Sequence, residues 1–182
     1  DDVIRFLDIA YSDFKTRSLG LIAQMAYEWC QRIGDMRLLK FEYIDFDNGI
    51  LHLEQSKRRA TVHLPISDEL LSMLVQQKED YGFQEYVAPT PNAIRGAYKP
   101  YSLHGISKLG RKAMSSAGLS NELRLADLRR TGTTEMVEAG VSMGNIMSVT
   151  GHTNPQSVKP YMKNTFASAN LALSTRKNLT HC

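Results

Sequence analysis

Only two of the 182 residues are cysteine, and neither sits in a spacing suited to a metal. A disulfide framework and a zinc module are therefore not expected to stabilise the fold, and a reducing, cytoplasmic setting is the default. Cys30 lies in an apolar helical pattern, where a thiol behaves as a small hydrophobe; Cys182 is the last residue and is expected to be loose. No apolar run approaches the ~20 residues of a membrane-spanning helix. The start, Asp1-Asp2-Val3, is acidic and has neither a secretion signal nor an initiator methionine, so the chain reads as a piece of a longer protein. Internal repeats and low-complexity tracts are missing too. So is a large excess of one charge: 22 basic residues stand against 19 acidic ones, a net charge of +3. That balance alone does not indicate a nucleic-acid partner.

The distribution of the charge says more. Basic residues cluster at Lys57-Arg58-Arg59, at Lys108, Arg111 and Lys112, and at Arg129-Arg130, while Asp45, Asp47, Asp68 and Glu69 lie elsewhere. At 42% hydrophobic residues the chain is long enough for one domain with a sizeable core. Ile22, Met25, Trp29 and Ile33 recur at helical spacing and predict a buried helix from Leu19 to Ile33. Arg32 would end that helix, and Gly34 would permit a sharp change of direction before a short helix or turn over 35–40. From Phe41 to Ile66 the period becomes two: Leu51 and Leu53, then Val62, Leu64 and Ile66, alternate with polar residues or Pro65. Asp47-Asn48-Gly49 is a strong turn signal. The expectation is a mainly α fold with a small antiparallel sheet of about three strands, whose second connection carries Lys57.

Helices return after Ser67, with Leu70, Leu71, Leu74 and Val75 facing inward. Residues 83–101 read as a loop. Ser102 would cap a helix with Leu103, Ile106 and Ala113 inward and Lys108, Arg111 and Lys112 outward, ended by Gly118. Asp127 would cap a helix ended by Gly140, and Ser142 one ended by Gly151. Pro155 suits a first helical position, but Pro160 lacks the amide that such a helix would need. A break is expected immediately before Tyr161. Residues 166–175 predict a helical tail.

Three residues near the end suit phosphate chemistry. Arg129 lies in Asp127-Leu128-Arg129-Arg130-Thr131-Gly132, His152 in Thr150-Gly151-His152, and Tyr161 follows Pro160. Arginine forks onto phosphate oxygens, and an activated tyrosine can attack covalently. Arg32, in Gln31-Arg32-Ile33-Gly34-Asp35, and Lys57, in Gln55-Ser56-Lys57, complete an ordered set. Each has a plain structural reading: a helix-end cap for Arg32 and His152, a solvated turn charge for Lys57, an exposed helical face for Arg129, an ordinary aromatic for Tyr161. Five such coincidences in order are improbable.

With these motifs, from about residue 2 to about residue 165, the chain resembles the tyrosine recombinases, the phage-type DNA integrases. The resemblance implies the catalytic-domain fold of those DNA breaking and rejoining enzymes. It implies that Tyr161 attacks a DNA phosphate to form a 3′-phosphotyrosyl link, without metal, cofactor or ATP. Arg32 and Arg129 would hold the non-bridging oxygens, Lys57 would protonate the leaving 5′-oxygen, and His152 would donate to the phosphate. Asp35 matches an acidic position and would orient Arg32. Arg58, Arg59, Lys108, Arg111, Lys112 and Arg130 would contact double-stranded DNA. Residues 1–182 would form one catalytic domain, without the helical clamping domain that usually precedes it. Residues 166–182 would dock on a neighbouring protomer, in tetramers assembled on DNA. The setting would be cytoplasmic and nucleoid-associated, in a bacterium or its phage, with no membrane partner. One departure stands out. The family usually has histidine where this chain has Ala126, which can neither donate a hydrogen bond nor shuttle a proton. Cleavage is expected to be slower than in an Ala126→His variant unless Arg124 or His104 approaches. Two alternatives stay open: a DNA-binding module with weak or no cleavage, and a type IB topoisomerase-like relaxing enzyme.

Overall fold

The structure, a computed structural model, describes residues 1–57, 59–162 and 166–180. Eight α-helices and three strands follow one another in it: α1 (Asp2–Tyr11), α2 (Phe14–Glu28), α3 (Ile33–Met36), β1 (Ile44–Asp45), β2 (Ile50–Glu54), β3 (Thr61–Pro65), α4 (Asp68–Tyr81), α5 (Leu103–Ser116), α6 (Asp127–Glu138), α7 (Met143–Thr150) and α8 (Phe166–Thr180). Short 3-10 turns cover Phe41–Tyr43, Pro155–Ser157 and Lys159–Tyr161. The mainly helical architecture with a three-stranded sheet is the expected one.

α2 is the axis of the core. Every residue from Ser18 to Ala26 is buried, so the helix is apolar on all sides, as a central helix must be. It meets α1, α4, α5 and α6. Its two buried polar side chains are satisfied: Gln24 accepts from Tyr11 Oη at 2.6 Å, and Ser18 Oγ accepts from Gln77 Nε2 at 3.2 Å. The helix runs from Phe14 to Glu28 rather than from Leu19 to Ile33. The chain reverses at Cys30, whose backbone is left-handed (φ 51°). Gly34 therefore does not make the turn, and Arg32 does not end α2; Arg32 is extended and precedes α3.

The sheet is antiparallel in the order β1-β2-β3. Leu51 opposes Leu64 and Leu53 opposes Val62 on the buried face, while His52 and His63 pair on the exposed one. Trp29 Nε1 donates to the Pro65 carbonyl (3.0 Å), tying the end of α2 to β3. Ser67, Ser102 and Ser142 cap α4, α5 and α7 through their hydroxyls. Gly118, Gly140 and Gly151 leave α5, α6 and α7 in left-handed backbone. Four expectations change. Val75 and Leu103 are exposed, because the apolar stripes of α4 and α5 are narrower than read. Asp127 is the first residue of α6 and not its cap; its carboxylate accepts from the Arg124 amide at 2.8 Å. After Pro155 no α-helix forms, since Pro160 cannot extend one; two 3-10 turns meet at Val158, and the Tyr161 amide donates to the Val158 carbonyl (3.0 Å). α8 runs to Thr180, past the expected 175. Cys182 lies outside the described residues.

A pair of buried glutamines joins the end of α2, the end of β2 and the C-terminus of α7. Gln55 Nε2 donates to Gln31 Oε1 (2.5 Å) and to the Thr150 carbonyl (2.9 Å). Gln31 Nε2 donates to the carbonyls of Trp29 (2.7 Å) and Val149 (2.8 Å). Gly151 lets this happen. Its φ is 69°, and a β-carbon there would lie 2.6 Å from both Gln55 amide atoms. Gly151→Ala is therefore expected to destabilise the domain by about 2 kcal/mol or more, read as a lower urea midpoint; an unchanged midpoint contradicts this packing.

Candidate active site

Arg32 and Arg129 come from opposite ends of the sequence and face one cleft. Arg32 leaves the reversal at Cys30 and is held by a long hydrogen bond from Nη1 to Gln55 Oε1 (3.4 Å) and an ion pair with Asp35 Oδ2 (3.7 Å). Asp35 is buried and also binds the β2–β3 connection, accepting from the Ser56 amide (3.2 Å) and the Ser56 hydroxyl (2.5 Å). One carboxylate thus positions an arginine and the turn that carries Lys57. Lys57 itself is exposed. Among the described residues, no recorded hydrogen bond or ion pair joins it to the other four.

Arg129 sits in the first turns of α6 and is 9% exposed. Its Nη2 donates to the Thr150 carbonyl (2.9 Å) and lies 3.2 Å from His152 Nε2. Thr150 Oγ1 gives its proton to the Ile146 carbonyl (2.8 Å), so it accepts from His152 Nδ1 at 2.7 Å. That assignment leaves the His152 Nε2 lone pair toward Arg129. Arg129 Nη1 is buried and has no hydrogen-bond partner among the described residues. Burial pushes the Arg129 guanidinium down to about 10; the charge of Arg32 pushes the same way, and Tyr161 opposes it. Tyr161 is half-buried at the end of a 3-10 turn that packs on α6. Arg129 thereby contacts His152, has Arg32 nearby and lies on the helix against which the Tyr161 turn packs; neither His152 nor Tyr161 lines the cleft that Arg32 and Arg129 share.

The cleft between α3, α5 and the start of α6 has a volume of about 480 Å³. Arg32, Arg111, Arg124 and Arg129 line it, along with Ala126, and no aspartate or glutamate does. His104 is not in its lining. Lys108, Lys112, Arg59 and Arg130 are exposed; Arg58 lies outside the described residues. A larger cavity of about 580 Å³ between α1, α2, α5 and α6 is rimmed by Asp1, Asp2, Glu28, Glu69, Asp127 and Glu135. Such a rim repels phosphates, so size alone points to the wrong place. Among the described residues, no group of three or more His, Cys, Asp or Glu is placed to hold a metal, and no helix is long and apolar enough to cross a membrane. The positioning roles of Gln31, Gln55 and Thr150 escape sequence reasoning. The signal available was their position beside Arg32, Lys57 and His152.

The backbone superposes on XerA recombinase with a TM-score of 0.75, at 16% identity, covering 97% of this chain and 62% of that one. A lambda integrase (75-356) dimer bound to a COC′ core site matches with a TM-score of 0.70, at 23% identity, over 91% of this chain and 58% of that one. The fold is that of the tyrosine recombinase catalytic domain. In sequence, the chain is 27% identical over 145 residues to the virulence plasmid integrase pGP8-D of Chlamydia muridarum (strain MoPn / Nigg), covering 79% of this chain and 42% of that protein. It therefore spans less than half the length of that relative. Residues 1–168 match the Phage integrase family, and the chain belongs to it.

The buried charge of Arg129 has a consequence for stability. Its folded pKa lies below the ordinary arginine value, so the charged form is held at a cost at neutral pH, relieved only as pH rises through about 10. Arg129→Met is expected to cost less than about 1 kcal/mol at pH 7, or to stabilise. Inorganic phosphate should raise the unfolding midpoint of the wild type and not that of the variant. A loss above about 2 kcal/mol would show that Arg129 is chiefly a structural residue.

Proposed function

We propose that this chain is the catalytic domain of a site-specific DNA recombinase that cuts and rejoins strands through Tyr161. The observation that carries the reading is the buried Arg129, whose unpartnered Nη1 and proximity to Arg32 call for an anion. A DNA phosphodiester meets that demand and places its phosphorus near Tyr161. In the proposed reaction, Tyr161 Oη attacks phosphorus as its phenol proton passes to His152 Nε2, and the bond to the 5′-oxygen breaks. Lys57 supplies the proton to that oxygen, and the phosphate remains esterified to Tyr161 and to the 3′-oxygen. Attack by a 5′-hydroxyl from a second strand reverses the step, so no external energy source is needed. Arg32 and Arg129 offset the charge on the non-bridging oxygens. A proton taken up at His152 Nε2 turns that atom from an acceptor into a donor toward the same oxygens.

The exposed basic side chains Arg59, Lys108, Lys112 and Arg130 suit backbone contacts with a duplex, with binding that weakens steeply as salt rises. α8 exposes Leu171 and Leu173, which suits docking on a neighbouring protomer during assembly on DNA. A second reading, a DNA-binding module that does not cleave, is favoured by Ala126, which lines the cleft and offers no donor. A relaxing enzyme is a third. It would remove supercoils without exchanging strands.

Covalent trapping on a nicked cognate DNA separates cleavage from binding alone, and relaxation of supercoils without strand exchange would identify the third reading. The wild type is expected to form a protein–DNA adduct, and Tyr161→Phe to form none while keeping its DNA affinity. An adduct that survives Tyr161→Phe would remove Tyr161 as nucleophile; no adduct with either protein would favour the binding module.

A further inference from the structure

The arginine-lined cleft contains more cationic side chains than the two arginines of the proposed mechanism. Arg111 and Arg124 also line it, and they differ in freedom. Arg124 is tied to its own turn: its Nη1 donates to the carbonyls of Asn121 (2.5 Å) and Leu123 (2.8 Å), and its amide donates to Asp127 Oδ2 (2.8 Å). Arg111 makes no hydrogen bond or ion pair among the described residues and is exposed. The packing of α5 brings it into place. A β-carbon on Gly110 would lie 2.7 Å from Leu125 Cδ1, so at this point α5 sits directly on the segment leading into α6. Gly110 and Leu125 meet, and the residues that follow them, Arg111 and Ala126, line the same cleft. Ala126 offers only a methyl group to a lining it shares with Arg111 and Arg129. Among the described residues no carboxylate lines the cleft or pairs with Arg111.

We propose that Arg111 is a further catalytic residue. Resting on the reading of the cleft as the site of phosphoryl transfer, it reaches from α5 into the cleft beside Ala126 and donates guanidinium N–H groups to a non-bridging oxygen of the attacked phosphate. Arginine suits that task because its planar fork meets two oxygens at once and keeps its charge at any working pH. In this chain the donor that Ala126 cannot provide comes from a different helix. Alanine at 126 and arginine at 111 then form a functional pair, and a larger side chain at 126 competes with Arg111 for the same volume.

The test is single-turnover cleavage of a nicked DNA at saturating DNA, with DNA affinity measured separately in the Tyr161→Phe background. Arg111→Ala is expected to slow adduct formation about a hundredfold and to weaken binding by no more than about threefold, with an unchanged unfolding midpoint. Ala126→His should recover much of the rate in the Arg111→Ala background and add little to the wild type, a non-additivity that independent sites would not show. An unchanged rate, or a loss confined to affinity, makes Arg111 an ordinary backbone contact and overturns the proposal while leaving Tyr161 in place. A slowed rate with no recovery by Ala126→His overturns the pairing with position 126. If the wild type forms no Tyr161-dependent adduct, the reading of the cleft fails and Arg111 loses its role with it.

Discussion

The carbonyl oxygen of Thr150 accepts two hydrogen bonds from opposite sides, one from Gln55 and one from Arg129. Most of the candidate site hangs on that atom. It is among the last carbonyls of α7, where the helix has no further amide to offer and where its dipole favours a cation. Arg129 takes up that position, and Gln55 takes the other lone pair and carries β2 with it. The same residue's hydroxyl orients His152. One residue at a helix end therefore joins the sheet, α6 and the imidazole into one rigid frame, and Gly151 is the residue small enough to let Gln55 approach.

The electrostatics of the cleft are those of a receptor waiting for charge. Arg32 stands close enough to Arg129 to depress it, and among the described residues the buried Arg129 has an unpaired nitrogen. The nearby carboxylate, Asp35, is only 3.7 Å from Arg32 and is largely committed to Ser56. It aligns the cation without cancelling it. A fully neutralised cluster would be more stable and would bind phosphate less well, the familiar exchange of stability for function. The acidic cavity between α1, α2, α5 and α6 has the opposite character, and the two faces would orient the domain on a polyanion.

Much of this was legible in the sequence, because the signals were local. The period-two run from Leu51 to Ile66 and the serine caps at 67, 102 and 142 placed the sheet and three helices close to where they stand. The misses have physical causes. α1 carries Phe6 and Ala10 as its buried positions, a stripe too thin to stand out from its acidic surroundings. The end of α2 was misplaced because Ile33 continues the helical period by accident, while the reversal falls on Cys30, a residue without a turn preference. The ordered set of five candidate residues could be read from the chain; what holds them could not. Gln31, Gln55 and Thr150 act through contacts between residues as many as 118 apart in sequence, and no local pattern encodes these.

The segment from Gly151 to Tyr161 has a mechanical character of its own. It has no α-helical ladder, only two short turns, and between them Val158 is completely buried. A chain fixed at one interior point behaves as a lever on a fulcrum. His152, upstream of the pin, is locked to Thr150 and Arg129, whereas among the described residues Tyr161, downstream of it, is held at its amide by the Val158 carbonyl. Displacement of the phenol toward a substrate therefore need not be transmitted to the imidazole. Under the proposed function, the fold would separate the part of the site that must stay registered on the phosphate from the part that must travel to it.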